Sequence, residues 1–422
     1  MVSATKNAIV RRAAGMPNSY QPAYSPSGSP AGEHAVLADR IYDGDRWHTE
    51  AAALIRNGRI VALCSWDKIP RNIGQVKLPT DAFLAPGFID LQVNGGGGDL
   101  LNDQPTADVM RAIARTHRQY GTTACLPTLI TDTREQMRAA IDAARSIAGR
   151  DSVLGLHLEG PFISPRRPGV HRADWIRQPD QRDLEDLCRL GDVGASLVTL
   201  APECVPTSFI RTLVSSGVRV SIGHTEASSA VVAQAMDEGA TGVTHLFNAM
   251  EPLTARSPGV IGAAFADDRL VASLILDGIH VDPVSVRAAF NAKGSDGIAL
   301  ITDAMPTVGS SLDNFQLFNR SIKLNQGRLT TADGILAGAH LDMASAVRNA
   351  VSLAKVSLED ALRAASRTPA RFLGLDHERG ALLPSARADL VALSQDLAVL
   401  ATWVDGSADG IPNERSASKS TQ

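Results

Sequence analysis

Three observations predict an α/β fold for this chain. Short apolar runs alternate with amphipathic stretches from about residue 87 to 377, the pattern of a parallel sheet with helical crossovers. Eight of those runs can be counted, and no G-x-G-x-x-G follows the first, which argues for a (β/α)8 TIM-type barrel over an open doubly wound sheet. Finally, β-like texture at both ends of this region suggests a small β-sandwich domain assembled from the two ends of the chain. The expected division is a tail over 1–33, the β-sandwich over 34–86 and 378–407, the barrel over 87–377, and a second tail over 408–422.

The β-sandwich expectation rests on Ala35-Val36-Leu37, on Ala52 to Ile55 turning at Asn57-Gly58 into Arg59 to Leu63, and on Ala388 to Leu393 and Leu400 to Gly406. Asn-Gly between apolar runs is a hairpin signal. The first 33 residues, rich in Ser, Pro, Gly and Ala, offer nothing that would hold a helix or a central strand. The barrel strands are expected at 88–93, 123–129, 153–159, 196–201, 218–223, 242–246, 271–276 and 298–302. Helices are expected over Ala107 to Tyr120, Arg134 to Ala148, Val205 to Ser216, Ala227 to Glu238 and Pro283 to Lys293. Beyond the eighth strand, Phe315 to Leu329 reads as one hairpin turning near Asn325-Gln326-Gly327, followed by helices over Ala344 to Ala354 and Leu358 to Ser366.

Composition narrows the partners. The 422 residues are 44% hydrophobic, enough for a large core, and Lys+Arg 41 against Asp+Glu 45 leaves a net charge of −4, so no basic field invites nucleic acid or an anionic membrane. A small-molecule substrate is the expected partner. Cys64, Cys125, Cys188 and Cys204 form no C-x-x-C pair and read as reduced packing residues, which points to the cytoplasm. Arg11-Arg12 is followed by no apolar stretch of the kind a signal peptide needs, and no run approaches the roughly 18 residues of a membrane span.

Polar residues collect where the strands stop. Gln92 and Asn94, Thr128, Glu159, Glu203, His224, His245 and Asn248, Asp277 and His280, and Asp303 all lie at or just past strand C-termini, the face on which barrel enzymes build their sites. One Glu and two His from successive strand ends, Glu159, His224 and His245, make a three-ligand set with an open position, the pattern of a catalytic zinc centre. His157, two residues before Glu159, is expected to pack or to support the site from behind. Glu203 is expected to be structural.

Six stretches together resemble the N-acetylglucosamine-6-phosphate deacetylases of the amidohydrolase superfamily: Pro86 to Gly95, His157 to Pro161, Gly223 to Ala227, Thr244 to Met250, Asp277 to His280 and Thr302 to Pro306. They occur in the family's order and spacing. The resemblance implies a divalent cation on Glu159, His224 and His245, zinc first among Zn, Fe, Co, Mn and Ni, with Asp303 as catalytic acid/base and His171 polarising the acetyl carbonyl. It further implies substrate contacts from Gln92, His171, Asn248, the Ala249 amide, Arg256, His280 and the Leu336-Ala337-Gly338 loop, with Arg256 and His280 on the phosphate. A homodimer is implied as well. Binuclear relatives carry a His-x-His on the first strand and a carboxylated Lys on the fourth; here Gln92-Val93-Asn94 and the Lys-free Ala195 to Glu203 predict one metal per chain. The family's small hydroxyl residue after the loop glycine is replaced by Ala339 and His340, which opens the sugar epimer to N-acetylgalactosamine or another N-acyl sugar phosphate. A cyclic-amide hydrolase and a non-catalytic sugar-phosphate sensor are the alternatives; the absent Lys disfavours the first and Asp303 the second.

Overall fold

In the computed structural model, which describes residues 32–409, the eight expected strands form one parallel sheet that curls into a barrel: β1 (Phe88–Val93), β2 (Thr122–Ile130), β3 (His157–Glu159), β4 (Leu197–Leu200), β5 (Arg219–Ile222), β6 (Gly242–Val243), β7 (Val271–Ile275) and β8 (Ile298–Ile301). Neighbours pair in chain order from β1 to β8. The seam between β8 and β1 is closed by a side chain. Asp90 accepts the Thr302 hydroxyl at 2.5 Å and the Thr302 amide at 3.2 Å. Just above, the Asp303 amide donates to the Gln92 carbonyl at 3.0 Å and the Asn94 amide to the Ala304 carbonyl at 3.0 Å. The barrel is thus fastened at the end where the polar residues gather.

The crossover helices follow from their sequence. Thr106 accepts the Val109 amide and starts Ala107–Arg118, which buries Met110, Ile113, Ala114 and His117, one face at helical spacing. Thr133 does the same for Arg134–Ile147, burying Met137, Ala140, Ile141, Ala144 and Ile147. Thr207–Ser215, Ser229–Asp237 and Pro283–Lys293 lie within the expected stretches. Inside the barrel the core is partly polar. His157 bonds Thr199 Oγ1 through Nε2 at 2.8 Å, and Thr199, Thr244 and Ser221 continue a hydroxyl chain at 2.7 and 2.6 Å, so His157 faces the barrel interior as expected.

Both ends of the described chain meet in a second, eight-stranded sheet. Its hub is Glu33–Tyr42, which pairs antiparallel with Trp47–Arg56 and parallel with Gly74–Lys77 and Phe83–Pro86. Leu390–Leu393 joins antiparallel to Phe83–Pro86, and Val399–Val404 and Ser407–Asp409 follow. The sheet folds around Val36, Ile41, Ile55, Leu84, Leu390 and Trp403, so the sandwich is one continuous branched sheet. Two boundaries shift: Glu33, and Ala408 with Asp409, are strand residues rather than tail. The rest of both expected tails lies outside the described residues. Two further differences follow β8. The expected single hairpin is a three-stranded sheet, Asn314–Leu317, Arg320–Asn325 and Arg328–Thr330, because Phe318 at φ 56° makes a turn that the sequence pattern hid. A third helix, Arg367–Leu373, also follows Leu358–Ala365.

Candidate active site

The strand ends deliver their side chains in unusual backbone conformations. His224, His245 and Asp303 have φ of 50°, 35° and 49°, the left-handed region that non-glycine residues rarely occupy. Such conformations cost about 1–3 kcal/mol each and persist only where the surroundings hold them. Each turns a side chain from the strand's edge toward one point above the barrel. All four of Glu159, His224, His245 and Asp303 are 2–9% exposed.

Glu159 Oε1 stands 3.2 Å from His224 Nε2 and 2.8 Å from His245 Nε2, and the two Nε2 atoms are 3.1 Å apart. Three donors bound tetrahedrally at about 2.0–2.1 Å would lie about 3.3 Å from one another, so this triangle is close to what a zinc-sized ion draws together. Protonation supports the fit. His224 Nδ1 faces the Arg167 carbonyl at 2.8 Å, and a carbonyl can only accept, so the proton sits on Nδ1. The Nε2 lone pair therefore points at the Glu159 carboxylate, an arrangement that is repulsive unless a cation lies between them.

His171 is also near. Its ligand atom lies within 4.8 Å of those of Glu159 and His224, which makes it a rival to His245 for the third position. Its own partners argue against that. Nδ1 accepts from the Thr131 amide at 3.4 Å and lies 2.7 Å from the Thr131 hydroxyl, which places the ring proton on Nε2, 3.7 Å from Glu159 Oε2. His171 faces the site as a donor; His245 faces it at closer range. Burial, and then the neighbouring His224, push the His171 pKa down to about 4, so the ring is neutral. Burial disfavours charge on Glu159 too, but hydrogen bonding from its neighbours, His171 first, outweighs that and holds its pKa well below the ordinary carboxylate value. The buried Glu/His/His group can therefore hold a metal ion.

Asp303 faces this group from β8. Its Oδ1 accepts two amides, Asn94 Nδ2 at 2.6 Å and Gln92 Nε2 at 3.2 Å. Burial, followed by the charge on Glu159, raises its pKa to about 6, which suits a group that must both take and return a proton near neutrality. Asn94 is the residue whose role the sequence reading missed; its period-two spacing from Gln92 at a strand end was the available signal.

Glu159, His171, His224, His245 and Asp303 line one cavity of about 370 Å³ with Asn94, Asn248, Ala249, His280, Leu336 and Gly338, a size suited to a small metabolite. His280 is oriented by Asp277, which accepts Nδ1–H at 2.6 Å and two backbone amides at 2.8 Å. Gly338 has φ 58°, and a Cβ there would lie 2.8 Å from the Asp303 carbonyl oxygen, so glycine is required where this loop docks. A larger cavity of about 540 Å³ opens at the opposite, N-terminal end of the strands, lined by Arg219, Arg269, Lys293 and Arg371 with Asp268 and Asp296, but no metal-ligating cluster among the described residues lies there.

Three expected contacts do not reach the pocket wall. Gln92 lies beneath it, 1% exposed and bonded to Asp303. Ala337 is buried against Leu329 and Met305, and its amide bonds the Leu329 carbonyl. Arg256 is exposed on the loop 252–257 and does not line the cavity. Glu203 is structural as expected: it accepts the Thr225 hydroxyl at 2.5 Å and the Glu226 amide at 2.7 Å, bracing the loop after β5. The four cysteines are free, and no helix among the described residues is long and apolar enough to cross a membrane.

Residues 83–409 match the model of the amidohydrolase family. A curated relative, N-acetylgalactosamine-6-phosphate deacetylase of Shewanella sp. (strain ANA-3), is 43% identical over 78% of this chain and 83% of its own length. The N-acetylglucosamine-6-phosphate deacetylase of Haemophilus influenzae is 34% identical over 84% of this chain and 93% of its own. The crystal structure of N-acetylglucosamine-6-phosphate deacetylase from Pasteurella multocida superposes with a TM-score of 0.86 at 33% identity, covering 90% of this chain and all of that one. With these likenesses running through both the barrel and the two-ended sheet, the chain belongs to the amidohydrolase family, in the group of the N-acetylglucosamine-6-phosphate deacetylases.

Proposed function

We propose that the protein removes the acetyl group from N-acetylglucosamine 6-phosphate, giving glucosamine 6-phosphate and acetate in amino-sugar catabolism or cell-wall recycling. The observation that carries this reading is the triangle of Glu159, His224 and His245 facing Asp303 across a cavity of about 370 Å³. One divalent cation per chain, zinc first, would be held by those three residues. When bound it supplies Lewis acidity, lowering the pKa of water from about 15.7 toward about 7 and polarising the acyl oxygen.

The chain's own groups do the rest. The neutral His171 donates its Nε2–H to the acetyl oxygen, where negative charge develops as the new C–O bond forms. Asp303 takes the proton from the attacking water and passes it to the amide nitrogen, so the C–N bond breaks to release an amine rather than an amide anion. Because Gln92 and Asn94 both hold Oδ1, Oδ2 is the oxygen left to carry that proton. His280, the Asn248 side chain and the Ala249 amide would receive the phosphate, with Leu336 and Gly338 along the sugar. Arg256 is assigned to the phosphate by resemblance, although its side chain does not line the cavity. The domain limits at 86/87 and 377/378 remain our proposal; the two-ended sheet supplies no residue of the cavity.

The Shewanella relative favours a second reading, N-acetylgalactosamine 6-phosphate as substrate. Acetate release measured side by side on the phosphorylated and unphosphorylated N-acetyl forms of both sugars separates them. Faster turnover of the phosphorylated glucosamine form supports the first reading, and faster turnover of the galactosamine form the second. No release from any of the four defeats both.

A further inference from the structure

Glu159, His224 and His245 come from three different strand ends, so the loops after β3, β5 and β6 must keep one relative position if their ligand atoms are to converge. Those loops meet again outside the cavity. Ser164, after β3, donates its amide to the His224 carbonyl at 2.8 Å, and the Arg167 amide donates to the Ser164 carbonyl at 2.9 Å. The Arg167 carbonyl then accepts His224 Nδ1–H at 2.8 Å. The same residue's guanidinium reaches sideways to both other loops: Nε lies 3.4 Å from Glu226, two residues past His224, and Nη2 pairs with Glu251, beyond β6. Arg166 adds a contact of 3.1 Å to Glu226. His171 lies a short way along the same loop. Arg167 does not line the cavity, and its side chain is 30% exposed.

We infer that Arg167 is a positioning residue for the metal site, clamping the three ligand-bearing loops together and holding the His224 ring in the tautomer that offers Nε2 to a cation. An ion pair this exposed adds little to global stability. Its consequence is local: with the guanidinium anchored at both carboxylates, the Arg167 carbonyl cannot swing away from His224, and an imidazole whose far nitrogen is held by an acceptor is both oriented and more basic as a ligand. Glu226 and Glu251 contribute through Arg167 and need no contact with metal or substrate.

The inference rests on the reading that Glu159, His224 and His245 bind a metal, and the test separates the two. Zinc affinity is measured by chelator competition for wild type, Arg167→Ala, Arg167→Lys and Glu251→Gln, beside thermal unfolding of each protein freed of metal. Arg167→Ala is expected to bind zinc about tenfold or more weakly, the scale on which outer partners of metal ligands act. Its metal-free unfolding temperature should stay at the wild-type value. Arg167→Lys, which keeps a cation between the two carboxylates, should recover most of the affinity, and Glu251→Gln should lose a smaller part of it. A wild-type chain that takes up no zinc overturns the metal reading. If wild type binds zinc and Arg167→Ala binds it within twofold as well, the clamp alone is overturned. It is equally overturned if the affinity falls only in step with a lowered unfolding temperature of the metal-free protein.

Discussion

The two sides of the cavity are built alike and do opposite work. On one side, β3, β5 and β6 end in Glu159, His224 and His245, whose ligand atoms converge at 2.8–3.2 Å, the His224 tautomer turning a lone pair toward Glu159. On the other side, β1 and β8 end in Gln92, Asn94 and Asp303, where two N–H donors converge on one carboxylate oxygen. The first arrangement is stable around a positive ion; the second is complete by itself and holds a proton acceptor in place. The barrel contributes the same thing to both, a strand end with a left-handed turn at His224, His245 and Asp303. What differs is whether acceptors or donors are gathered there.

The largest effects should come from the acceptor side. His245→Ala and Glu159→Gln are expected to lose the metal and more than about a thousandfold in deacetylation, while far-UV circular dichroism stays that of wild type. Metal analysis checks this directly: a His245→Ala protein that retains one equivalent would transfer the third position to His171. On the donor side the metal should stay. Asp303→Asn is expected to keep a full equivalent while kcat falls about 10²–10⁴-fold, and an unchanged kcat would remove Asp303 from the proton path.

Asn94→Ala sharpens the contrast. It removes a 2.6 Å bond to a carboxylate, of a kind worth about 1.5–3 kcal/mol, and should lower kcat about 10–100-fold without touching metal content. Asn94's bond favours the charged form of Asp303, so its loss should also move the acidic limb of the pH–rate profile upward; a limb moving downward would contradict the assignment. The smallest effect belongs to a carboxylate outside both sides. Asp183 completes the capping box of Gln181–Cys188 by accepting the amide of its N-cap Asp180, and pairs with Arg177 at 2.8 Å and Arg134 at 3.0 Å. Burial opposes its charge, yet those guanidiniums hold its pKa below the ordinary carboxylate range. A folded pKa below the unfolded one stabilises above the unfolded pKa and is lost as pH falls through the folded one. Asp183→Asn should therefore melt roughly 1–3 °C lower at pH 7, with the gap closing below about pH 4 and activity per folded molecule unchanged. A gap that persists at low pH would assign the loss to packing.

The eight strands and their order were legible from the sequence because parallel strands buried on both faces read as short apolar runs, and the amphipathic spacing of Met110, Ile113, Ala114 and His117 marks a crossover helix. Glu159, His224, His245 and Asp303 were legible for the same reason: each ends such a run, and a barrel places strand ends on one face. Local pattern could not reveal the turn at Phe318, the third helix at Arg367–Leu373, or the branching of the two-ended sheet, since these depend on neighbours far away in the chain. Nor could it separate residues that share a strand end. Sequence alone determined which groups lie at strand ends and what donors and acceptors they carry, because residue type and strand period fix both. Only the tertiary structure decided which lone pair meets which proton: that His224 gives its proton to Arg167, that His171 keeps its own toward the cavity, and that Gln92 sits beneath Asp303 while Arg256 stands outside. Those choices are made by contacts across loops from different strands, at distances of about 3 Å that no spacing along a chain encodes.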